Sequence, residues 1–442
     1  MNLLKFLSKS RSTRNLISRI SSVLGRFSIS AKKGETLLNR YSETTRHLGC
    51  VPTFPVPAVT MKRHPRLIRD LHDRGIEFAV HGYIHIDYGV LEPAEQEKHF
   101  QKAITTFRDN KIPFTGFRAP FLRINNETLP VLSRLKFAYD SSHAINWEVL
   151  DREKFPAQSW ESYNRLIDFY QPYPDRDFLA LPRAVDGIIE IPVSIPDDEA
   201  MVERLRITDT QEISRIWMHI LEETHKRGEL FTVQLHPERI MIFENALTEV
   251  ILRAKTLEPS VWITTLGEIT GWWQEKNEFN FNISPEDAGR FTVEANCSDR
   301  ATVLFRNCRV DKDIVTGELG GYQVTPARRF VLESFVRPVI GVSPDTAASA
   351  VDFLKSEGYA VEQTTGPENC GIYLNTLSRF SAADEKPLSR KIEQSGAPLL
   401  RYWRWPERNK SALSVTGDLD SITLVDFVLR IFENWQQNRK KH

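Results

Sequence analysis

Two histidines four residues apart, in His81-Gly-Tyr-Ile-His85, follow the apolar, β-prone run Ile76–Val80. Neutral imidazoles so placed can share one divalent ion, and an ion that keeps an open coordination position can activate water for hydrolysis. Asp87 is close enough in sequence to assist. The plainer reading is a pair of packing or surface histidines. Position argues against it: α/β folds carry their chemistry just past the C-terminal ends of strands, and Arg118 and His236 follow strand-like segments of the same kind.

Near the other end of the chain, Ser411-Ala-Leu-Ser-Val-Thr416 reads as an apolar strand running into Asp418 and Asp420. Carboxylates two residues apart point the same way on a regular strand, and a pair of them invites a metal. An aspartate there is equally a good N-cap for the amphipathic helix expected through Trp435. Asp140 reads as a capping residue at a strand end ahead of a ligand-positioning one, while His143, Trp147, Asp186 and Glu190 are candidates to face a ligand. His64, His72, His99 and His225 fall in charged, helix-like stretches and are expected to be solvated.

These side chains need strand ends to hold them. From Leu37 to Trp273, short β-prone runs alternate with amphipathic helical stretches, the pattern of an α/β barrel or a layered parallel sheet. The expected strands are Val51–Pro55, Ile76–Val80, Phe114–Arg118, Phe137–Asp140, Ile188–Val193, Phe231–His236 and Val261–Thr264, with crossover helices over Arg66–Arg74 and Ala94–Asp109. Beyond Trp273 the texture changes. Phe291–Val310 reads as antiparallel β structure, followed by a strand at Pro338–Val342, a helix over Thr346–Glu357 and a strand at Ala360. The expected division is a basic amphipathic segment (1–34), an α/β barrel (35–279), a smaller α+β module (280–409), and a C-terminal strand and helix (410–442).

The chain has 442 residues with 58 basic and 58 acidic side chains, which gives no basic excess of the kind that binds nucleic acid. Four widely spaced cysteines without a CxxC pair exclude a cysteine metal site and fit a reducing, cytoplasmic setting, although Cys297 and Cys308 can pair if their strands are adjacent. No apolar run approaches the roughly 20 residues that cross a bilayer. Residues 1–33 carry eight Lys or Arg and no acid, with apolar residues at helical spacing. Three readings stay open for that segment: a peripheral helix at a membrane surface, a transit peptide, or a helix packed on the protein.

Taken together, the motifs resemble those of the polysaccharide deacetylases, carbohydrate esterase family four, whose domain is named for the nodulation-factor deacetylase. The family's His-Ser/Thr-x-x-His metal motif resembles His81-Gly-Tyr-Ile-His85, its Arg-x-Pro-Tyr motif resembles Arg118-Ala-Pro-Phe121, and its histidine-bearing late strand resembles Val233-Gln-Leu-His236. The family's opening Thr-Phe-Asp-Asp strand has no counterpart before Val51; the nearest likeness is Thr416-Gly-Asp-Leu-Asp420. The resemblance therefore implies a distorted (β/α) barrel that is circularly permuted, with the α+β module inserted across the old termini.

It also implies a site. His81, His85 and Asp420 would hold one divalent ion, expected to be zinc. Asp418 would be the general base, oriented by Arg118; His236 would be the acid toward the leaving amine. The backbone N–H of Phe121 would face the oxyanion, and Leu235 would line the pocket for the acetyl methyl. Gly82 replaces the family's Ser or Thr and removes a hydroxyl from the metal loop. The implied reaction is metal-dependent removal of an N-acetyl group from an N-acetylated sugar or polysaccharide. The alternatives are hydrolysis of another non-peptide C–N bond by the same groups, and a non-catalytic glycan-binding or scaffold protein on the same fold.

Overall fold

A computed structural model describes residues 23, 25–287 and 289–439 of the chain. Most of the N-terminal segment 1–34, with its membrane-surface and transit readings, lies outside the described residues.

The scaffold for the site is a nine-stranded curled sheet. Its strands are β1 (Thr53–Val56), β2 (Glu77–Val80), β3 (Gly116–Phe117), β4 (Tyr139–Asp140), β5 (Arg183–Val185), β6 (Ile188–Glu190), β7 (Leu230–Gln234), β8 (Val261–Ile263) and β9 (Ser411–Thr416). The spatial order is β7-β9-β1-β2-β3-β4-β6-β5, with β8 also pairing β9. All pairs are parallel except β5 with β6. The C-terminal strand β9 is thus interior. It runs beside β7 from Leu230↔Ala412 to Gln234↔Thr416, beside β8 over Ser411 to Leu413, and meets β1 at Thr53↔Thr416. Every residue of β9 is buried, as expected for a parallel strand covered on both faces.

Among the described residues, hydrogen bonding does not close the sheet, which is a curled, half-barrel form of the α/β architecture expected from sequence. Its edges are β7 and β5, and the strand Val193–Ile195 of a separate three-stranded parallel sheet packs beside β7. Pro192 explains the change of sheet. The run Ile188–Val193, expected as one strand, breaks around this residue without an N–H, so Ile188–Glu190 pairs with β4 and Val193–Ile195 pairs with Ala144–Asn146. The crossover helices fall where the periodicity puts them, at Pro65–Asp73 and Pro93–Asp109. Each has proline in its first turn, where the missing N–H costs nothing. Leu67, Ile68 and Leu71 of the first, and Phe100, Ala103 and Phe107 of the second, are buried faces.

Beyond residue 279 lie two four-stranded antiparallel sheets and a three-stranded parallel sheet in which Ile340–Val342 is central. Buried apolar residues of these sheets join Leu230 and Ala412 of the large sheet in one core with Trp272, Trp273 and Trp405. The Trp405 indole donates to the Gly228 carbonyl at 2.9 Å.

Three sequence expectations are corrected. Cys297 and Cys308 are free thiols, as are Cys50 and Cys370. His99 and His225 are buried rather than solvated, and His225 Nδ1 lies 3.0 Å from Ser411 Oγ on β9. His64 lies 2.7 Å from an Asp426 oxygen, fastening the first crossover helix to the C-terminal helix Leu424–Arg439.

Candidate metal and catalytic site

The ends of β2, β3, β7 and β9 converge on one buried cluster. His81 follows β2 directly, and its Nδ1 lies 2.7 Å from the Arg118 carbonyl oxygen. A carbonyl can only accept, so Nδ1 carries the proton and Nε2 presents its lone pair. Nε2 points at Asp420, 3.3 Å from Oδ1; His85 Nε2 lies 3.1 Å from Oδ2. Gly82 turns the chain between the two histidines with φ +81°, and a Cβ there would sit 2.9 Å from both the Ile84 carbonyl oxygen and the Tyr88 hydroxyl. A serine or threonine therefore has no room in this loop as it stands.

The donor set fits a divalent ion. One ligand atom from each of His81, His85 and Asp420 lies within 4.8 Å of the others. Zinc takes its ligands at about 2.0–2.2 Å, so donors to a shared ion sit roughly 3–4 Å apart. Asp420 Oδ1 is buried without a hydrogen-bond partner, which suits a cation. Burial pushes His85 down to about 4, so its ring is a neutral donor at neutral pH. Burial alone would raise the Asp420 carboxyl, but His85 and the Arg430 guanidinium outweigh it and hold it well below the carboxylate range. Arg430, on the C-terminal helix, pairs directly with Asp420 Oδ2. Asp87 does not join this cluster. It caps the short turn Tyr88–Val90 and pairs with Arg123 at 3.0 Å.

Asp418 lies one turn of chain earlier and is 2 % exposed. Arg118 Nη1 donates to its Oδ1 at 2.8 Å, and Gln234 Nε2 donates to its Oδ2 at 2.9 Å. Arg118 is fully buried and fixed at its other donors by the Ser141 carbonyl, the Ser141 hydroxyl and Thr416 Oγ1. The guanidinium therefore spans β3, β4 and β9 and can hold only one orientation. A carboxylate offers about four acceptor positions, so two remain on Asp418 for a water.

His236, just past β7, faces Asp420 with Nε2 3.9 Å from Oδ2. Its Nδ1 is 2.9 Å from Asp198 Oδ1. Burial disfavours the imidazolium, but the Asp198 carboxylate in contact with Nδ1 outweighs burial and, with Asp420, raises His236 well above its ordinary value. Arg239 donates to the same Asp198 carboxylate at 3.0 Å. Phe121 adopts φ +62°, and Leu122 φ +53°. Two consecutive left-handed residues without glycine store strain at this point of the loop. The Phe121 ring packs edge-on against His85 at 4.5 Å. Leu235 is fully buried between Gln234 and His236.

The structure thus brings together His81, His85, Arg118, Phe121, Leu235, His236, Asp418 and Asp420. Sequence reading missed Asp198, Gln234 and Arg430. Asp198 had a legible signal, since Asp197 and Asp198 follow the strand Val193–Ile195 just as Asp418 and Asp420 follow β9. Gln234 ends the strand that carries His236. For Arg430, ten residues past Asp420 on a helix, no sequence signal exists.

The comparisons bear on the same segment. Residues 39–139, which span β1, both crossover helices, His81, His85 and Arg118, match the family model for polysaccharide deacetylase. This part of the chain is similar to the polysaccharide deacetylases. A peptidoglycan deacetylase-like protein, FGM2 of Gibberella zeae, is 32% identical over 147 residues. The match takes in 32% of this chain and spans 41% of the length of that relative. Among solved structures, a candidate polysaccharide deacetylase of Mycobacterium smegmatis is 21% identical, covering 54% of this chain and 76% of its own, with a TM-score of 0.41. A Puue allantoinase is 18% identical, covering 54% and 72%, with a TM-score of 0.42. The matched segment ends before Asp198, His236, Asp418 and Asp420, so their share in the site rests on the geometry above.

Proposed function

We propose that this chain is a metal-dependent deacetylase that hydrolyses the acetamido group of an N-acetylated sugar or polysaccharide, releasing acetate. The observation that carries the reading is the convergence of three metal-ligand side chains with two further groups, Asp418 and His236, each oriented by its own buried partner. His81, His85 and Asp420 would hold one divalent ion, most simply zinc, which when bound polarises a carbonyl and makes a nearby water more acidic. Asp418 accepts the proton of the attacking water, positioned by Arg118 and Gln234. His236, protonated through Asp198, donates its Nε2 proton to the departing amine. The Phe121 N–H lies on the strained loop beside His85 and is the donor assigned to the developing oxyanion. Leu235 lines the pocket for the methyl group.

The same proposal includes a circular permutation. Ser411–Thr416 and the helix Leu424–Arg439 stand where the family's first strand and helix would stand, and the interior place of β9 supports this. Its domain division is 1–34, 35–279, 280–409 and 410–442. It also includes a cytoplasmic enzyme in peripheral contact with a membrane through the basic segment 1–34. No helix among the described residues is long and apolar enough to cross a bilayer. Val425, Val428, Leu429 and Phe432 form an exposed apolar stripe on the C-terminal helix, of the spacing that lies on a surface.

The test is acetate release from an N-acetylated chitooligosaccharide by zinc-loaded protein, with the metal content measured in parallel. Acetate formation in proportion to bound metal supports the proposal. Bound metal with turnover of a small amide but not of the oligosaccharide favours another C–N bond, and a chain that binds no metal favours the glycan-binding alternative. A further expectation concerns His236. Because Asp198 raises its affinity for a proton, activity should persist as pH rises until His236 deprotonates. Asp198→Asn should move that alkaline limb toward acid by about 1–3 pH units, the usual effect of one adjacent opposite charge. A pH–rate profile with an unmoved alkaline limb would remove His236 from the role of acid.

A further inference from the structure

A cavity of about 530 Å³ lies at the end of the large sheet opposite the catalytic cluster. Gly228 and Glu229, just before β7, line it, whereas His236 lies past the other end of that strand. The separation along the strand is roughly 20 Å at about 3.3 Å per residue. Leu179, Lys226 and Arg227 add to the wall at Gly228 and Glu229, and the other walls come from elements beyond residue 300.

Charge is the distinctive property of this cavity. Eight Lys or Arg side chains line it against two carboxylates, Glu229 and Glu393. Three carboxylates reach these cations from behind the wall: Glu357, Asp175 and Glu223. Three positive charges remain in excess. The carboxylates are also shared. Glu393 takes Arg306 at 2.8 Å and Arg401 at 3.0 Å, while Glu357 pairs with Arg404 and lies 3.7 Å from Arg401. Lys386 donates to the backbone carbonyls of Asp175 and Phe178.

Three of these cations are deeply buried: Lys386 is 6 % exposed, Arg401 2 % and Arg404 7 %. Arg401 and Arg404 are matched by Glu357 and Glu393, so the excess falls on the rim, where Arg390 and Lys410 are accessible to a ligand. A cavity that concentrates positive charge between low-dielectric walls attracts anions strongly, and arginine forks suit phosphate and carboxylate oxygens. Trp403 supplies a flat apolar wall. The Gly320-Gly321 turn, with φ +59° and +80°, brings backbone close to it, since a Cβ on Gly320 would lie 2.8 Å from the Trp403 ring.

We propose that this cavity is a binding site for a small polyanion bearing phosphate, separate from the catalytic cluster and joining the elements beyond residue 300 to that end of the large sheet. Its volume is that of a small-ligand site, and both the free anion and a sugar phosphate share the required chemistry.

The test is titration calorimetry of the full chain with inorganic pyrophosphate and, separately, with glucose 6-phosphate. Saturable binding is expected, together with a rise in Tm, because a ligand held between both sets of elements stabilises the folded state. Tighter binding of pyrophosphate assigns the site to a free anion; tighter binding of glucose 6-phosphate assigns it to the sugar-borne group. Arg390→Gln with Lys410→Gln removes two cations from the rim, where Arg390 is exposed and Lys410 half-buried, so folding should persist. The pair should weaken binding by about tenfold or more, the effect of losing charge-assisted hydrogen bonds. Absence of saturable binding at millimolar concentrations, or binding unchanged in the double variant, overturns the proposal. Neither readout depends on the hydrolytic reaction.

Discussion

Asp418→Asn is expected to lower kcat by about 10²–10⁴-fold, the contribution typical of a positioned general base, while leaving the bound metal at wild-type stoichiometry. The substitution is nearly isosteric, and the amide keeps an oxygen that can accept from Arg118 Nη1, now 2.8 Å away. It loses the basic lone pair that would take a proton from water. The amide NH₂ would also meet the Gln234 side-chain amide, which at present donates at 2.9 Å, and Gln234 can turn over to present its oxygen instead. Metal content by inductively coupled plasma spectrometry and kcat on the oligosaccharide, measured on the same preparation, separate the two roles. Near-normal turnover would show that Asp418 anchors Arg118 and nothing more. Loss of metal would make it part of the ion's binding set.

What the sequence disclosed here, and what it withheld, follows from locality. The strand-end histidines were legible because a short apolar run and a fixed spacing lie within ten residues, and β2 places His81 directly at its end. The carboxylates at 418 and 420 were legible for the same reason. Their joining to the histidines rests on parallel pairing of β9 with β7 and β1 across gaps of more than 180 residues. Periodicity carries no information about such pairing, and only likeness to the family's opening motif suggested it.

The openness of the sheet escaped the sequence because closure depends on whether the edge strands meet. The break at Pro192, which diverts Val193–Ile195 into a second sheet, sits inside a run whose residues are otherwise those of a single buried strand. That diversion has a functional consequence. It ends at Asp197 and Asp198 beside β7, and so delivers the Asp198 carboxylate to His236. The buried histidines at 99 and 225 were misread for a related reason: each lies in a helix with charged neighbours, but on the face that turns inward.

Asp420→Ala is expected to abolish stoichiometric metal binding and, with it, activity. Losing a group that merely orients a ligand typically costs about 10–100-fold in metal affinity, so loss of one of three protein ligands should exceed that. Among the described residues, Asp420 is the carboxylate grouped with His81 and His85 as a possible ligand set, and Arg430 and His236 also face it. Without Asp420 to offset it, the Arg430 guanidinium would repel a divalent ion held by the two imidazoles. Equilibrium dialysis against zinc reads this directly, without reference to turnover. Pairing the change with Arg430→Met, which removes the competing positive charge, should recover part of the affinity but not the stoichiometric site. If Asp420→Ala retained tight zinc, the ion would have to be held by other ligands, and the acidic motif at the end of β9 would be structural, a helix-capping turn before Leu424 that lies against the histidines without serving them.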